Sequence, residues 1–262
     1  MTHPHDDPAA DTSAADTSAG PARMRLARYL ASAGIASRRR CEEMIREGRV
    51  SVNGQAILTP VCIVTPGQDV IRFEGRILTL DEPVYLMLNK PAGYTCSSQD
   101  EHAEHLIYEF LPENLARVFS VGRLDRDSEG LLILTNDGEL AQNLTHPSRQ
   151  ITKHYIADCT GTFTPDMADN MLAGVEDNGD FLKATQVTLK RRWPGHVFLE
   201  IVLTEGKKRE VRRLCASQGL TVTRLARVQF ASLTLGNLPN GEWRRLTPEE
   251  IDDLKQAAAT PV

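Results

Sequence analysis

Two segments of the chain alternate apolar and polar residues with period two. Val197, Leu199, Ile201 and Leu203 share one face of residues 197–203, and residues 151–159 alternate in the same way. That period belongs to half-buried strands, so the chain must build a sheet with one face laid on a core. Val84–Asn89 is an apolar run of strand length, and Val118–Arg123 and Leu131–Thr135 are two further strand candidates. Asn136-Asp137-Gly138 closes the last of these and opens a short helix over 139–145. From Lys208 to Gln218 the period becomes helical, with Val211, Leu214 and Cys215 inward and Gly219 as the stop. Strands separated by helices at irregular intervals predict an α+β fold with a mixed, mainly antiparallel sheet over residues 81–262.

A smaller unit precedes it. Leu26, Tyr29, Leu30 and Ala33 recur at helical spacing and stop at Gly34, and Ser37 caps a second helix whose apolar face is Cys41, Met44 and Ile45. Val50, Val52 and Asn53-Gly54 follow as a hairpin signal, because both turn residues tolerate positive φ. Gly67, residues 69–73 and Gly75 add a turn and a strand. Residues 23–80 therefore read as a small helical and β module, joined to the rest by a short linker at 78–83. Residues 1–22 hold no large apolar side chain beyond Met1 and read as a disordered acidic tail, without the basic start and apolar stretch of a secretory signal.

Charge bears on the partner. The chain carries 30 Lys and Arg against 35 Asp and Glu, a net charge of −5. Asp6, Asp7, Asp11 and Asp16 all lie in the tail, which leaves 30 basic against 31 acidic residues elsewhere. Residues 23–49 hold eight arginines against Glu42, Glu43 and Glu47. Arg38, Arg39 and Arg40 fall in the first turn of the second helix, where the macrodipole is positive and each cation costs about 0.3–1 kcal/mol. An Arg39–Glu43 pair relieves only one of them, so a phosphate partner is the better reading. A second cluster, Lys207, Lys208, Arg209, Arg212, Arg213, Arg224 and Arg227, faces only Glu205 and Glu210. Two such clusters point to a polyanion. The five cysteines form no Cys-x-x-Cys pair, and nothing near His102 and His105 completes a zinc signature, so reduced thiols of a cytoplasmic protein without a metal are expected. No apolar run is long enough for a membrane helix.

One segment combines these signals. Gly122-Arg123-Leu124-Asp125-x-x-Ser128-x-Gly130-Leu131-Leu132, followed by Leu134-Thr135-Asn136-Asp137-Gly138, places a dense set of charges between two apolar strands. It resembles the catalytic motif of RNA pseudouridine synthases of the branch that modifies ribosomal RNA. Leu88-Asn89-Lys90-Pro91-x-Gly93, Lys153-His154-Tyr155 and Glu205-Gly206-Lys207-Lys208-Arg209-Glu210-Val211-Arg212-Arg213 agree with that family in order and spacing. Residues 24–80 resemble the RNA-binding module named after ribosomal small-subunit protein four.

The resemblance implies the roles. Asp125 is the expected catalytic aspartate, attacking a sugar or base carbon or abstracting a sugar proton. Arg212 pairs with Asp125 and keeps it ionised, Tyr155 stacks on the uracil, and Val211 packs on its other side. Arg123 helps hold the target nucleotide out of its helix. Arg38, Arg39, Arg40, Lys90, Lys208 and Arg209 are the expected RNA contacts, Lys90 either supporting the site or touching phosphate, and Asp127 is structural. The product is an isomer, so no cofactor is expected. The partner is ribosomal RNA or a pre-ribosomal particle met by a monomer, and the Arg209–Arg213 run resembles large-subunit more than small-subunit enzymes. The competing reading is a non-catalytic RNA-binding assembly factor on the same fold, which intact Asp125, Tyr155 and Arg212 disfavour. A methyltransferase with the same kind of module needs a Gly-x-Gly-x-x-Gly loop that is missing here.

Overall fold

The computed structural model describes residues 23–97 and 103–259. The acidic segment 1–22 and His102 lie outside them. The chain divides into two compact units, up to Leu80 and from Asp81 onward.

In the first unit, strand β1 (Met24–Arg25) leads into helices α1 (Leu26–Ser32) and α2 (Arg38–Arg46). Strands β2 (Val50–Val52), β3 (Gln55–Ile57), β4 (Ile63–Val64), β5 (Ile71–Phe73) and β6 (Arg76–Ile77) follow. β3-β2-β5-β6 form an antiparallel sheet, and β1 pairs with β4. Asn53 and Gly54 turn the β2–β3 hairpin at φ of 52° and 84°, the doubly positive geometry that this dipeptide favours. Leu26, Leu30, Cys41, Ile45, Val50 and Ile71 make the core.

The second unit opens with β7 (Tyr85–Lys90), β8 (Phe119–Ser120) and β9 (Glu129–Thr135). Helix α3 (Gly138–Thr145), strand β10 (Lys153–Thr160), helix α4 (Pro165–Ala173) and the hairpin β11 (Val175–Asp177) and β12 (Asp180–Leu182) come next. Strands β13 (Gln186–Trp193) and β14 (His196–Leu203), helix α5 (Glu210–Ser217) and strands β15 (Thr221–Phe230), β16 (Leu233–Thr234) and β17 (Trp243–Arg245) precede the last helix, α6 (Pro248–Ala259). The main sheet runs β13-β14-β10-β15-β9-β7-β17, with β16 added to β15 and β8 to β9. Its β9–β15 pairing is parallel and its other pairings are antiparallel. The fold is thus α+β on a mixed, mainly antiparallel sheet.

The two strand patterns have a common cause. β7 and β9 are covered on both faces: Leu86, Leu88, Leu132 and Leu134 enter one core, and Met87, Leu131 and Ile133 enter the other with Leu140 and Leu144 of α3 and Leu254 of α6. Such strands read as unbroken apolar runs. β10 and β14 give only one side to the first core, Tyr155, Ala157 and Cys159 against Val197, Leu199 and Ile201, so they alternate.

One expected strand needs correction, and one observed strand was not anticipated. The strand expected over Val118–Arg123 shrinks to Phe119–Ser120, because the chain then bends into the loop that carries Asp125. The ten-residue β15 has no clean period, because its centre is a buried arginine. Arg227 is 2% exposed, donates Nε to the Leu131 carbonyl at 2.9 Å and lies 5.3 Å over the Phe230 ring.

Candidate active site

A polar cavity of about 720 Å³ opens where the loop between β8 and β9, strand β10 and the start of α5 converge. Arg123, Asp125, Tyr155, Lys208, Arg209 and Val211 are among its lining residues. Three elements far apart in sequence thus bring most of the expected site together.

The loop bearing Asp125 is held from below. Lys90 is fully buried, and its ammonium donates to the carbonyls of Ser128 at 2.7 Å, Pro91 at 3.0 Å and Asp125 at 3.2 Å. Gly93 N–H donates to the Arg126 carbonyl at 2.7 Å, and Cys96 Sγ donates to the Leu124 carbonyl at 3.4 Å. Burial pushes the Lys90 ammonium below the usual lysine range, while the nearby Cys96, Asp127 and Asp125 act the other way. Lys90 therefore cannot be an RNA contact: its charge is spent on main-chain carbonyls inside the protein, which leaves only the supporting role.

Asp125 is half-buried, and among the described residues its carboxylate has no hydrogen-bond or ion-pair partner. Arg212 does not pair with it. The Arg212 side chain, 12% exposed, donates Nη1 to the Val222 carbonyl at 3.0 Å and Nη2 to the Asp127 carbonyl at 2.9 Å, with Nε 3.3 Å from the Asp127 carboxylate. Arg209 forks onto the same carboxylate with two bonds of 2.9 Å. The turn at Arg126-Asp127 swings Asp127, not Asp125, toward α5. Burial disfavours the charged form of Asp127, and the two guanidiniums overcome it and hold the carboxyl below its ordinary range. Arg209 reaches this carboxylate from a left-handed backbone conformation at the start of α5, φ 53° and ψ 32°.

The cavity walls come from the alternating strands and the helix. Tyr155 is 9% exposed and sits at a register shift of β10 against β15, and Val211 is 3% exposed on α5. Leu203 and Leu225 add apolar lining. Arg123 and Lys208 are exposed at the cavity, and neither has an ion-pair partner among the described residues. Glu210, 3% exposed, accepts from Lys207 N–H at 2.9 Å; burial and a hydrogen bond to Glu205 push its carboxyl up to about 7. Sequence reasoning missed it, since its polarity implied exposure.

In the first unit, Ser37 accepts from Arg40 N–H at 3.4 Å at the start of α2. Arg40, not Arg39, takes Glu43 at 2.7 Å, and it also reaches Glu47 at 3.3 Å. Arg38 and Arg39 are exposed and have no ion pair among the described residues.

Comparison with known proteins follows the same division. Residues 84–217 match the family model described as RNA pseudouridylate synthase, and residues 24–70 match the S4 domain. Ribosomal large subunit pseudouridine synthase B of Bacillus subtilis (strain 168) is 36% identical over 237 residues, covering 89% of this chain and 96% of that protein. The protein of the same name from Vibrio cholerae is 36% identical over 240 residues, covering 88% of this chain and 74% of that protein. A pseudouridylate synthase crystal structure superposes with a TM-score of 0.62 at 30% identity, covering 88% of this chain and 99% of that one. The chain belongs to the RNA pseudouridylate synthase family and carries an S4 domain ahead of its synthase domain.

Proposed function

We propose that the chain isomerises a specific uridine of large-subunit ribosomal RNA to pseudouridine, with Asp125 as the catalytic aspartate. The carrying observation is the position of Asp125: a carboxylate without a partner among the described residues, on a loop pinned by Lys90, lining a cavity with Tyr155 and Val211. The similarity to the ribosomal large subunit pseudouridine synthase B of Bacillus subtilis supports the large subunit.

The reaction breaks the bond between N1 and C1′, turns the base and joins C5 to C1′; the C5 proton leaves and N1 gains one. A free carboxylate suits either route, attack on carbon or removal of a sugar proton. Tyr155 offers a flat face to the loose base and Val211 closes the other side, so the uracil turns without escaping. Arg123 meets the phosphate or the vacated stack of the flipped nucleotide. Lys208 supplies phosphate attraction at the rim, and Arg209 adds to it through the part of its guanidinium that Asp127 leaves open. Arg212 acts at one remove, fixing Asp127 and so the turn after Asp125. Arg38 and Arg39 in the S4 domain bind backbone phosphate, with Arg40 held back by its glutamates. The substrate makes the protein a cytoplasmic partner of pre-ribosomal RNA.

The test is tritium release from unmodified large-subunit RNA labelled at uridine C5. Wild type is expected to release tritium, and Asp125→Asn is expected to release none while binding RNA as before. An equally active Asp125→Asn variant removes Asp125 from the chemistry. Release from small-subunit RNA alone removes the large-subunit assignment.

A further inference from the structure

The outer edge of the sheet ends in a hairpin whose chemistry the catalytic cavity does not use. β13 is the outermost strand, and it turns into β14 through Pro194-Gly195 directly after Lys190, Arg191, Arg192 and Trp193. Trp193 faces His196 across the ladder, with the rings stacked 5.7 Å apart at an interplanar angle of 13°. The indole nevertheless remains 41% exposed. Beside it lies a second cavity of about 370 Å³, lined by Phe163, Arg192, Trp193 and Pro194 among others. Arg192 is steadied at its wall by one bond, from Nη2 to the Phe163 carbonyl at 2.9 Å, leaving the rest of the guanidinium free to donate. Arg191 has no hydrogen-bond or ion-pair partner among the described residues, whereas Lys190 pairs with Glu200 at 3.0 Å.

Protection of an edge strand accounts for the cations and for the bulge between Leu189 and Arg191. It does not account for a large indole held flat by an imidazole and left open beside a cavity. A fixed aromatic face next to free guanidiniums is the arrangement that takes an unstacked base and its phosphate. We propose that the β13–β14 tip is a second RNA-contact site, which stacks one unpaired nucleotide on Trp193 and holds its phosphate with Arg191, two residues back on the same face of β13. The inference rests on the proposed function for the identity of the RNA. Trp193 and His196 lie level with Thr160, five residues along β10 from Tyr155, which at ~3.3 Å per residue is about 17 Å from the catalytic cavity. The tip therefore grips RNA away from the target nucleotide and adds affinity and register rather than chemistry.

The full chain is titrated with transcribed, unmodified large-subunit RNA over a range of salt, and tritium release is measured on the same RNA. Trp193→Ala is expected to weaken binding about tenfold and Trp193→Phe to restore most of it, because stacking needs only a flat ring. Arg191→Ala is expected to lower the slope of log affinity against log salt by ~0.7–0.9, the loss of one phosphate contact. For all three variants the change falls on KM and not on kcat. Unchanged affinity and slope in both alanine variants overturn the proposal and leave the tip as edge protection or a protein-docking surface. A fall in kcat at unchanged affinity overturns it too, since that marks a damaged sheet. Wild type separates the two readings: no release by wild type defeats the proposed function, whereas an active wild type with indifferent variants defeats this inference alone.

Discussion

Gly130→Ala is expected to destabilise the synthase domain more than an equivalent change in a glycine that has room. Gly130 sits at φ +102°, and a Cβ built there meets the Arg227 carbonyl oxygen at 2.3 Å and the Arg227 nitrogen at 2.8 Å. Those atoms are backbone of β15 at the parallel junction where Arg227 pairs with Gly130, so they cannot give way without opening the ladder. Positive φ alone costs an alanine about 1–2 kcal/mol, and an enforced backbone shift adds roughly 1–3 kcal/mol. Gly93 separates the two contributions, because it has nearly the same φ, +96°, and nothing within 4 Å of its Cβ position. Gly93→Ala carries the conformational cost alone. The expected difference is about 2 kcal/mol, or ~4–8 °C in Tm for a domain of this size. Trp193 and Trp243 are the two tryptophans of the chain and both lie in the second unit, so intrinsic fluorescence follows that unit's unfolding selectively. Equal Tm values for the two variants would show that the strand contact is not what demands glycine at 130.

Three further expectations concern charge. Glu210 has its folded pKa raised to about 7, above the unfolded value near 4.3, so ionising it inside the protein removes stability as pH rises from ~4.5 to 7. Glu210→Gln should therefore gain on wild type between pH 5 and pH 8, by at most roughly 3 kcal/mol, in urea unfolding followed at both pH values; a constant difference would refute the assignment. Asp127→Ala should cost about 1–3 kcal/mol, because Arg212 is left nearly buried without its anion, while Arg209→Ala should cost below ~1 kcal/mol, since that pair is half exposed; urea midpoints rank them. Arg38→Glu with Arg39→Glu should flatten the salt dependence of RNA binding by ~0.7–0.9 per lost phosphate contact, whereas Arg40→Ala should change it little; filter binding from low to high salt checks the contrast.

The parts of this structure that were legible in the sequence are those where burial dictates a period. β10 and β14 announced themselves because one face is dry, and Tyr155 and Val211 were found from a motif whose neighbours are periodic. Arg212 was expected to pair with Asp125 and instead meets Asp127, because the two aspartates differ only by the turn between them, and a turn's exit direction is a matter of backbone dihedrals rather than side-chain pattern. The choice between support and phosphate contact for Lys90 stayed open for a related reason. A buried lysine caged by carbonyls leaves no carboxylate in the sequence to betray it. Helix α4 did carry a signal, Pro165 in its first turn and Gly174 at its end, but only Met171 of it is buried, so its apolar face is faint.

The second arginine cluster shows why local charge sums mislead about a partner. Arg209 is answered by Asp127, 82 residues away, Arg213 by Asp177 and Asp180, Arg224 by Glu129 at 2.6 Å and Lys207 by Glu205. Arg227 is turned inward altogether. Apart from Glu205, the neutralising carboxylates lie on other elements, so a sum over neighbours in sequence counts cations that the fold has already paired. The cations without ion pairs among the described residues include Arg38 and Arg39 in the first unit, Arg123 and Lys208 at the catalytic cavity, and Arg191 at the hairpin tip. Paired arginines hold the loop and α5 in place, and the residues proposed to meet phosphate are drawn from those without ion pairs. A chain with net charge −5 can therefore bind RNA at fixed points without a broadly basic surface.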